Sequence, residues 1–188
     1  MELRPYQEEA RSAVEHEWAT GHKKTLLVLP TGTGKTIVFA KVAEDCVRQG
    51  KRTLVLAHRQ ELLDQAADKI ETATGLKSAV EKAEDSCLGS WYRITVGSVQ
   101  TLMRENRLKK FSKDYFGAII VDEAHHAIST SYQNILNYFD GADVLGVTAT
   151  PDRGDMKNLG PYFAGRPYKY SLPKPTRAGF LSQTRPQT

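Results

Sequence analysis

The sequence predicts an α/β fold, a layered sandwich around a mostly parallel sheet with helices on both faces. Three features support this. Short apolar runs alternate with longer stretches of helical period, the pattern of strand–helix–strand crossovers. One run, residues 25–29, leads through a glycine-containing turn directly into a helix-like segment. Another, residues 118–121, ends in the adjacent acids Asp122 and Glu123. Ligands of parallel sheets bind beyond the carboxyl ends of the strands, so both features point to one edge.

In chain order, residues 5–20 form the first helix, because Ala10, Val14 and Trp18 recur at helical spacing and Pro5 suits a first-turn position. Strands follow at about 25–29, 53–57, 93–97, 118–122 and 143–148, each a near-continuous apolar run of the kind buried on both faces. Helices fall between them at about 35–48, 60–73, 98–105 and 131–139. Gly32, Asp122 and Thr148 then sit at strand ends on one edge of the sheet.

At 188 residues and 40% hydrophobic, the chain is sized for one α/β domain with a full core. It has no run of 18 apolar residues, and Met1-Glu2-Leu3-Arg4 does not open a signal peptide, so no membrane association is expected. Two cysteines, Cys46 and Cys87, fit a reducing, cytoplasmic compartment. A zinc site built from Cys46, Cys87, His125 and His126 lacks any supporting spacing. Charge is uneven: seven Lys and Arg against two Asp give residues 151–188 a net +5, which leaves −1 for the first 150 of a chain that is +4 overall. That tail also holds six of the eight prolines, so the end of the chain reads as an extended linker with little core of its own. The division expected is a domain over 1–170 and a basic, proline-rich linker over 171–188.

Thr31-Gly32-Thr33-Gly34-Lys35-Thr36 has the composition of a phosphate-binding loop. Gly32 and Gly34 let backbone N–H groups point inward at phosphate oxygens, and the following helix adds its positive dipole end. Lys35 would reach the β and γ phosphates, and the Thr36 hydroxyl would ligate Mg²⁺. The first glycine of the general pattern is replaced by Leu29. Asp122 and Glu123 are costly at the end of a buried strand unless a positive partner is present, and Mg²⁺ with a triphosphate is such a partner. Asp122 would hold the metal; Glu123, beside it, would orient and deprotonate the attacking water. Together these residues predict nucleoside triphosphate binding.

Asp122-Glu123-Ala124-His125 resembles motif II, and Thr31 to Thr36 motif I, of superfamily 2 helicases and translocases of the DEAH type. The resemblance spans nearly the whole chain. Leu3-Arg4-Pro5-Tyr6-Gln7 resembles the adenine-recognition motif, Leu56-Ala57-His58-Arg59-Gln60-Glu61-Leu62 motif Ia, Gly97-Ser98-Val99-Gln100-Thr101-Leu102 motif Ib, and Thr148-Ala149-Thr150-Pro151 motif III. Tyr132, Ile135, Phe139 and Asp152-Arg153 are similar to the branch containing the motors of type I and type III restriction enzymes. The resemblance implies a RecA-like P-loop NTPase sandwich that binds ATP and Mg²⁺, with Arg4 and Gln7 near the adenine. It also makes His125 a link from the nucleotide site to Thr148 and Thr150. His126 receives no role and reads as a surface or packing residue.

Nucleic-acid contact is a weaker signal. Arg59 precedes a helix whose N-terminal amides could join it on a backbone phosphate, with Ser98 and Gln100 in the equivalent place after the next strand. Pairing of Arg59 with Glu61 is the bland alternative. The resemblance favours DNA backbone contacts with little base specificity. It also implies a second RecA-like domain in the full-length chain. The expected function is the first motor domain of an ATP-dependent helicase or translocase; the rival is a nucleotide-dependent, nucleic-acid-binding switch that does not translocate.

Overall fold

Each apolar run becomes a strand whose side chains alternate between two buried faces. The computed structural model describes residues 2–30, 34–82, 86–149, 157–163 and 168–169. Its strands are β1 (Lys24–Val28), β2 (Thr53–Ala57), β3 (Ser78–Glu81), β4 (Ile94–Ser98), β5 (Ala118–Asp122), β6 (Asp143–Thr148) and β7 (Tyr168–Lys169). They form one seven-stranded sheet in the order β3-β4-β2-β5-β6-β1-β7, with every pairing parallel. The helices are α1 (Pro5–Ala19), α2 (Lys35–Arg48), α3 (Leu63–Thr74), α4 (Val99–Leu102), α5 (Glu105–Leu108) and α6 (Thr130–Tyr138).

The two-residue period hidden inside the apolar runs sorts the core into two clusters. Leu27, Val55, Ile120, Leu145 and Val147 pack under α1, α2 and α3, against Val14, Phe39, Val42, Leu63 and Ile70. Leu26, Leu54, Leu56, Ile119 and Val121 pack on the other face, against Leu102, Phe111, Tyr132, Ile135 and Phe139. Full burial of one such aliphatic or aromatic side chain contributes roughly 1.5–3 kcal/mol, so both layers are needed to stabilise the sheet. Arg11 ties α1 to α2 through a two-pronged pair with Asp45, its Nε donating at 2.6 Å to Oδ2.

Register brings the strand ends level. Val28 of β1 lies opposite Thr148 of β6, whose neighbour Val147 lies opposite Asp122 of β5. Ala57 of β2 lies opposite Ser98 of β4. The five loops that leave these strands therefore meet at one edge.

Some expectations need correction. The helix expected over 60–73 starts as a tight 3₁₀ turn at Gln60–Leu62 before α3, and the one expected over 98–105 breaks into α4 and α5. β3 and β7 were not anticipated. The reading of everything after β6 as linker also gives way. Leu159 is 0% and Phe163 3% exposed in the core, and β7 pairs with β1 through Leu27 and Val28. Gly146 admits this packing, since a Cβ there would meet the Phe163 ring at 2.5 Å. The expected linker, 171–188, lies outside the described residues. Among the described residues no helix is long and apolar enough to cross a membrane.

Candidate functional site

The site lies on the carboxyl edge of β1, β5 and β6. Thr31, Gly32, Thr33 and Thr150 lie outside the described residues, so the loop is placed by its last glycine. Gly34 caps α2 in the left-handed region, with φ of 74°, a conformation that costs a residue with a Cβ about 1–2 kcal/mol. A side chain there would also displace Gln7, because a Cβ on Gly34 would come 2.6 Å from Gln7 Nε2. The start of α1 is thereby held against the start of α2. Gln7 is buried, and its Oε1 accepts the Arg4 backbone N–H at 2.8 Å, capping α1. An amide oxygen has two lone pairs, so this cap leaves acceptor capacity. Arg4 is exposed at the same helix end.

Lys35 and Thr36 open α2, where first-turn amides have no intrahelical partner. The Lys35 ammonium donates to Glu123 Oε1 at 2.8 Å and lies 3.6 Å from Asp122 Oδ1. Asp122 Oδ1 in turn accepts the Glu123 backbone N–H at 2.9 Å. Glu123 sits at φ 55°, the one described non-glycine residue with positive φ, and this turn swings its carboxylate back toward Lys35. Such a conformation persists only where the surroundings impose it, and it clusters at functional positions.

The two acids titrate in opposite directions. Burial pushes Asp122 above its ordinary range; Lys35 pulls it down and Glu123 pushes it further up. Burial also acts upward on Glu123, but the hydrogen bond and charge of Lys35, with help from His125 and His126, bring it below its ordinary value. Asp122 is thus a desolvated carboxylate that one ammonium does not fully compensate. A divalent cation would supply the missing charge, so Asp122, Glu123 and Thr36 suit Mg²⁺ in charge and donor chemistry.

His125 Nδ1 is 3.5 Å from Thr148 Oγ1 and 3.7 Å from Glu123 Oε2, which joins the acids to the end of β6. His126 is not a loose surface residue. Its ring stacks on His58 at 4.2 Å with 10° between planes, lies 4.3 Å from His125, and is nearly parallel to Tyr132 at 6.1 Å. Residue-by-residue reading missed this stack, because contact between rings distant in the chain leaves no local pattern.

The expected nucleic-acid residues divide. Arg59 and Gln100 are exposed, and Arg59 has no ion pair with Glu61 or any other described residue. Ser98 is instead buried, at 0% exposure: its Oγ accepts the Thr101 N–H at 3.1 Å and caps α4, so its hydroxyl does not face solvent. Gln60 Nε2, 3.5 Å from Thr101 Oγ1, connects the two turns that hold Arg59 and Gln100.

Comparison with known proteins gives a consistent result. Residues 1–153 match the family described as type III restriction enzyme, res subunit. A candidate mitochondrial ATP-dependent helicase, irc3, of Schizosaccharomyces pombe is 36% identical over 168 residues, covering 85% of this chain and 28% of its own length. The type I restriction enzyme EcoAI endonuclease subunit of Escherichia coli is 29% identical over 188 residues, covering 95% of this chain and 23% of its own length. The chain thus spans about a quarter of the length of these relatives. Among solved structures, the fragment of an HsdR subunit of a type I restriction enzyme from Vibrio vulnificus superposes with a TM-score of 0.69 at 27% identity, covering 90% of this chain and 30% of that one. The UvsW helicase of bacteriophage T4 shares the fold, with a TM-score of 0.69 at 19% identity over 90% of this chain and 61% of that one.

Proposed function

The chain belongs to the type III restriction enzyme res subunit family, and we propose that it is the first motor domain of an ATP-dependent helicase or translocase acting on DNA. The observation that supports this reading best is the meeting of Lys35, Asp122, Glu123 and the His125–Thr148 pair at one sheet edge. The adenine would lie against Gln7 and Arg4, and the phosphates over residues 31–36 at the start of α2. Mg²⁺, held by Thr36 and Asp122 with Glu123 beside it, would neutralise phosphate charge when bound.

The side chains then have separable tasks. Lys35 would leave Glu123 for the β and γ phosphate oxygens, since a triphosphate offers its ammonium more negative charge than one carboxylate. Glu123, freed from Lys35 and ionised at neutral pH, would accept a proton from the water that attacks the γ-phosphate in line. His125 would convey the state of that carboxylate to Thr148. Arg59 and Gln100 would contact backbone phosphates without reading bases, and Ser98 would position α4. Residues 1–170 form the motor domain in this reading, and 171–188 lead to a second RecA-like domain of the full-length protein. The free thiols Cys46 and Cys87 fit a cytoplasmic protein.

The decisive experiment is ATP turnover by the full-length protein with and without a single-stranded or duplex DNA oligonucleotide. Motor function requires that DNA raise the turnover rate. Turnover that DNA leaves unchanged, alongside nucleotide-dependent DNA binding, would favour the switch module instead.

A further inference from the structure

We infer that His126 is a positioning residue that couples the DNA-binding turn after β2 to the catalytic acids, an inference that rests on the motor reading above. The ring contacts connect these two places. His58 adjoins Arg59 and is exposed at the end of β2. Its imidazole lies flat on His126, 4.2 Å away and only 10° off parallel. Tyr132, almost fully buried in α6, lies 6.1 Å from His126 at 16°. His126 therefore neighbours both a ring in the turn after β2 and a ring seated in the core.

The His125 ring also neighbours His126, at 4.3 Å and 41°. His125 is the residue whose Nδ1 lies near both Thr148 Oγ1 and Glu123 Oε2. Close-packed rings transmit rather than absorb displacement. A shift of the His58–Arg59 turn therefore reaches His125 through His126, and through His125 the geometry of Glu123. The same contacts transmit in reverse, so nucleotide occupancy at Glu123 biases where Arg59 sits. Direct contact, rather than titration of the rings, accounts for this coupling.

The test uses full-length protein with His126→Ala, His126→Phe, His58→Ala and the His58→Ala/His126→Ala double variant. ATP turnover is measured without DNA and with a saturating single-stranded DNA oligonucleotide. DNA affinity is measured with and without a non-hydrolysable ATP analogue. His126→Ala and His58→Ala should each lower the DNA-stimulated rate about two- to tenfold, the size one ring contact supports, while the salt slope of DNA binding holds in both and DNA-free turnover holds in His58→Ala. Tightening of DNA binding by the analogue should shrink by a similar factor. The double variant should be no worse than the worse single one, and His126→Phe, which keeps a flat ring, should recover most of the loss. If His126→Ala fails to fold, His58→Ala and His126→Phe decide the matter. Additive losses, a phenylalanine no better than alanine, or undiminished stimulation overturns the coupling role while the motor reading stands. A wild-type protein that DNA does not stimulate overturns both.

Discussion

Lys35 touches two carboxylates at once, 2.8 Å from Glu123 and 3.6 Å from Asp122, which gives the three residues distinguishable mutant signatures. Lys35→Ala removes a charge-assisted contact to phosphate and is expected to weaken ATP·Mg²⁺ binding by about 1.5–3 kcal/mol. Glu123→Gln keeps the shape, spares binding and abolishes turnover in the full-length protein. Calorimetry with Mg²⁺ and a phosphate-release assay separate the two, and equal ATP affinity for wild type and Lys35→Ala would remove the loop from the nucleotide site. Arg59 lies exposed on the other side of the edge. Arg59→Ala should weaken single-stranded DNA binding for every sequence alike and flatten its logarithmic salt slope by about 0.7, the share of one phosphate contact. Nucleotide affinity should hold; reduced ATP binding with an unaltered slope would place Arg59 at the nucleotide. That these residues stand at the carboxyl ends of strands was legible in the sequence, because loop chemistry is encoded in consecutive positions. The burial of Ser98 was not, because whether a hydroxyl turns outward or caps its own helix depends on the turn that follows the strand.

At the scale of elements, the edge strand β3 is tied to α5 by an ion pair between buried Glu81 and half-buried Arg107. Glu81 is 0% exposed; its Oε2 accepts from Arg107 Nη1 of α5 at 2.9 Å, and its Oε1 accepts the Cys87 N–H at 2.7 Å. Removing Glu81 takes a carboxylate from half-buried Arg107 and leaves the Cys87 N–H without its acceptor. Glu81→Ala should therefore destabilise the fold by roughly 1–3 kcal/mol, read as a drop in the urea midpoint. A loss under about 1 kcal/mol would mean that solvent reaches Arg107 and that β3 is held by its backbone alone. The same strand shows where sequence reading stops. β1, β2, β4, β5 and β6 announce themselves as apolar runs because both of their faces are buried. β3 is four residues long, with alternate burial and a Glu whose partner lies in a helix much later in the chain. β7 is two residues, defined by its register on Leu27 and Val28 rather than by composition. Phe163 could be read as core only once Gly146 showed the gap it fills.

At the scale of the whole molecule, the buried thiols set an alkaline limit. Burial raises both Cys46 and Cys87 from 9.0 to about 11. The fold holds the neutral thiol while the unfolded chain ionises first, so this stability is intact below pH 9 and is lost as pH rises from 9 toward 11. Tyr162, raised by burial to about 12, acts in the same direction. The urea midpoint should fall across that window. At pH 8 only about one native thiol in a thousand is ionised, so a thiol-disulfide reagent should label both cysteines slowly when folded and rapidly in urea. Rapid native labelling of Cys46 would show that the α2 face opens locally, and of Cys87 that the opposite face does. The catalytic limit lies elsewhere. Triphosphate hydrolases commonly need an arginine finger worth on the order of 10³ to 10⁵ in rate. Resemblance to superfamily 2 motors implies that it comes from the second RecA-like domain, across the nucleotide cleft. The arginines after Thr150, namely Arg153, Arg166, Arg177 and Arg185, are scattered among prolines rather than clustered. Lys35 has its own task at the β and γ phosphates in the reading above, and Arg59 lies in the turn after β2, so neither of these cations can take over the finger's task without abandoning its own. A protein of residues 1–188 alone should then bind ATP·Mg²⁺ weakly, hydrolyse it barely above background, respond little to DNA and unwind nothing. Joining it to the second RecA-like domain proposed above should restore DNA-dependent turnover. If the purified 188-residue protein, monomeric and free of contaminating ATPase, matches the DNA-bound full-length rate, the finger is either unnecessary or already within these residues.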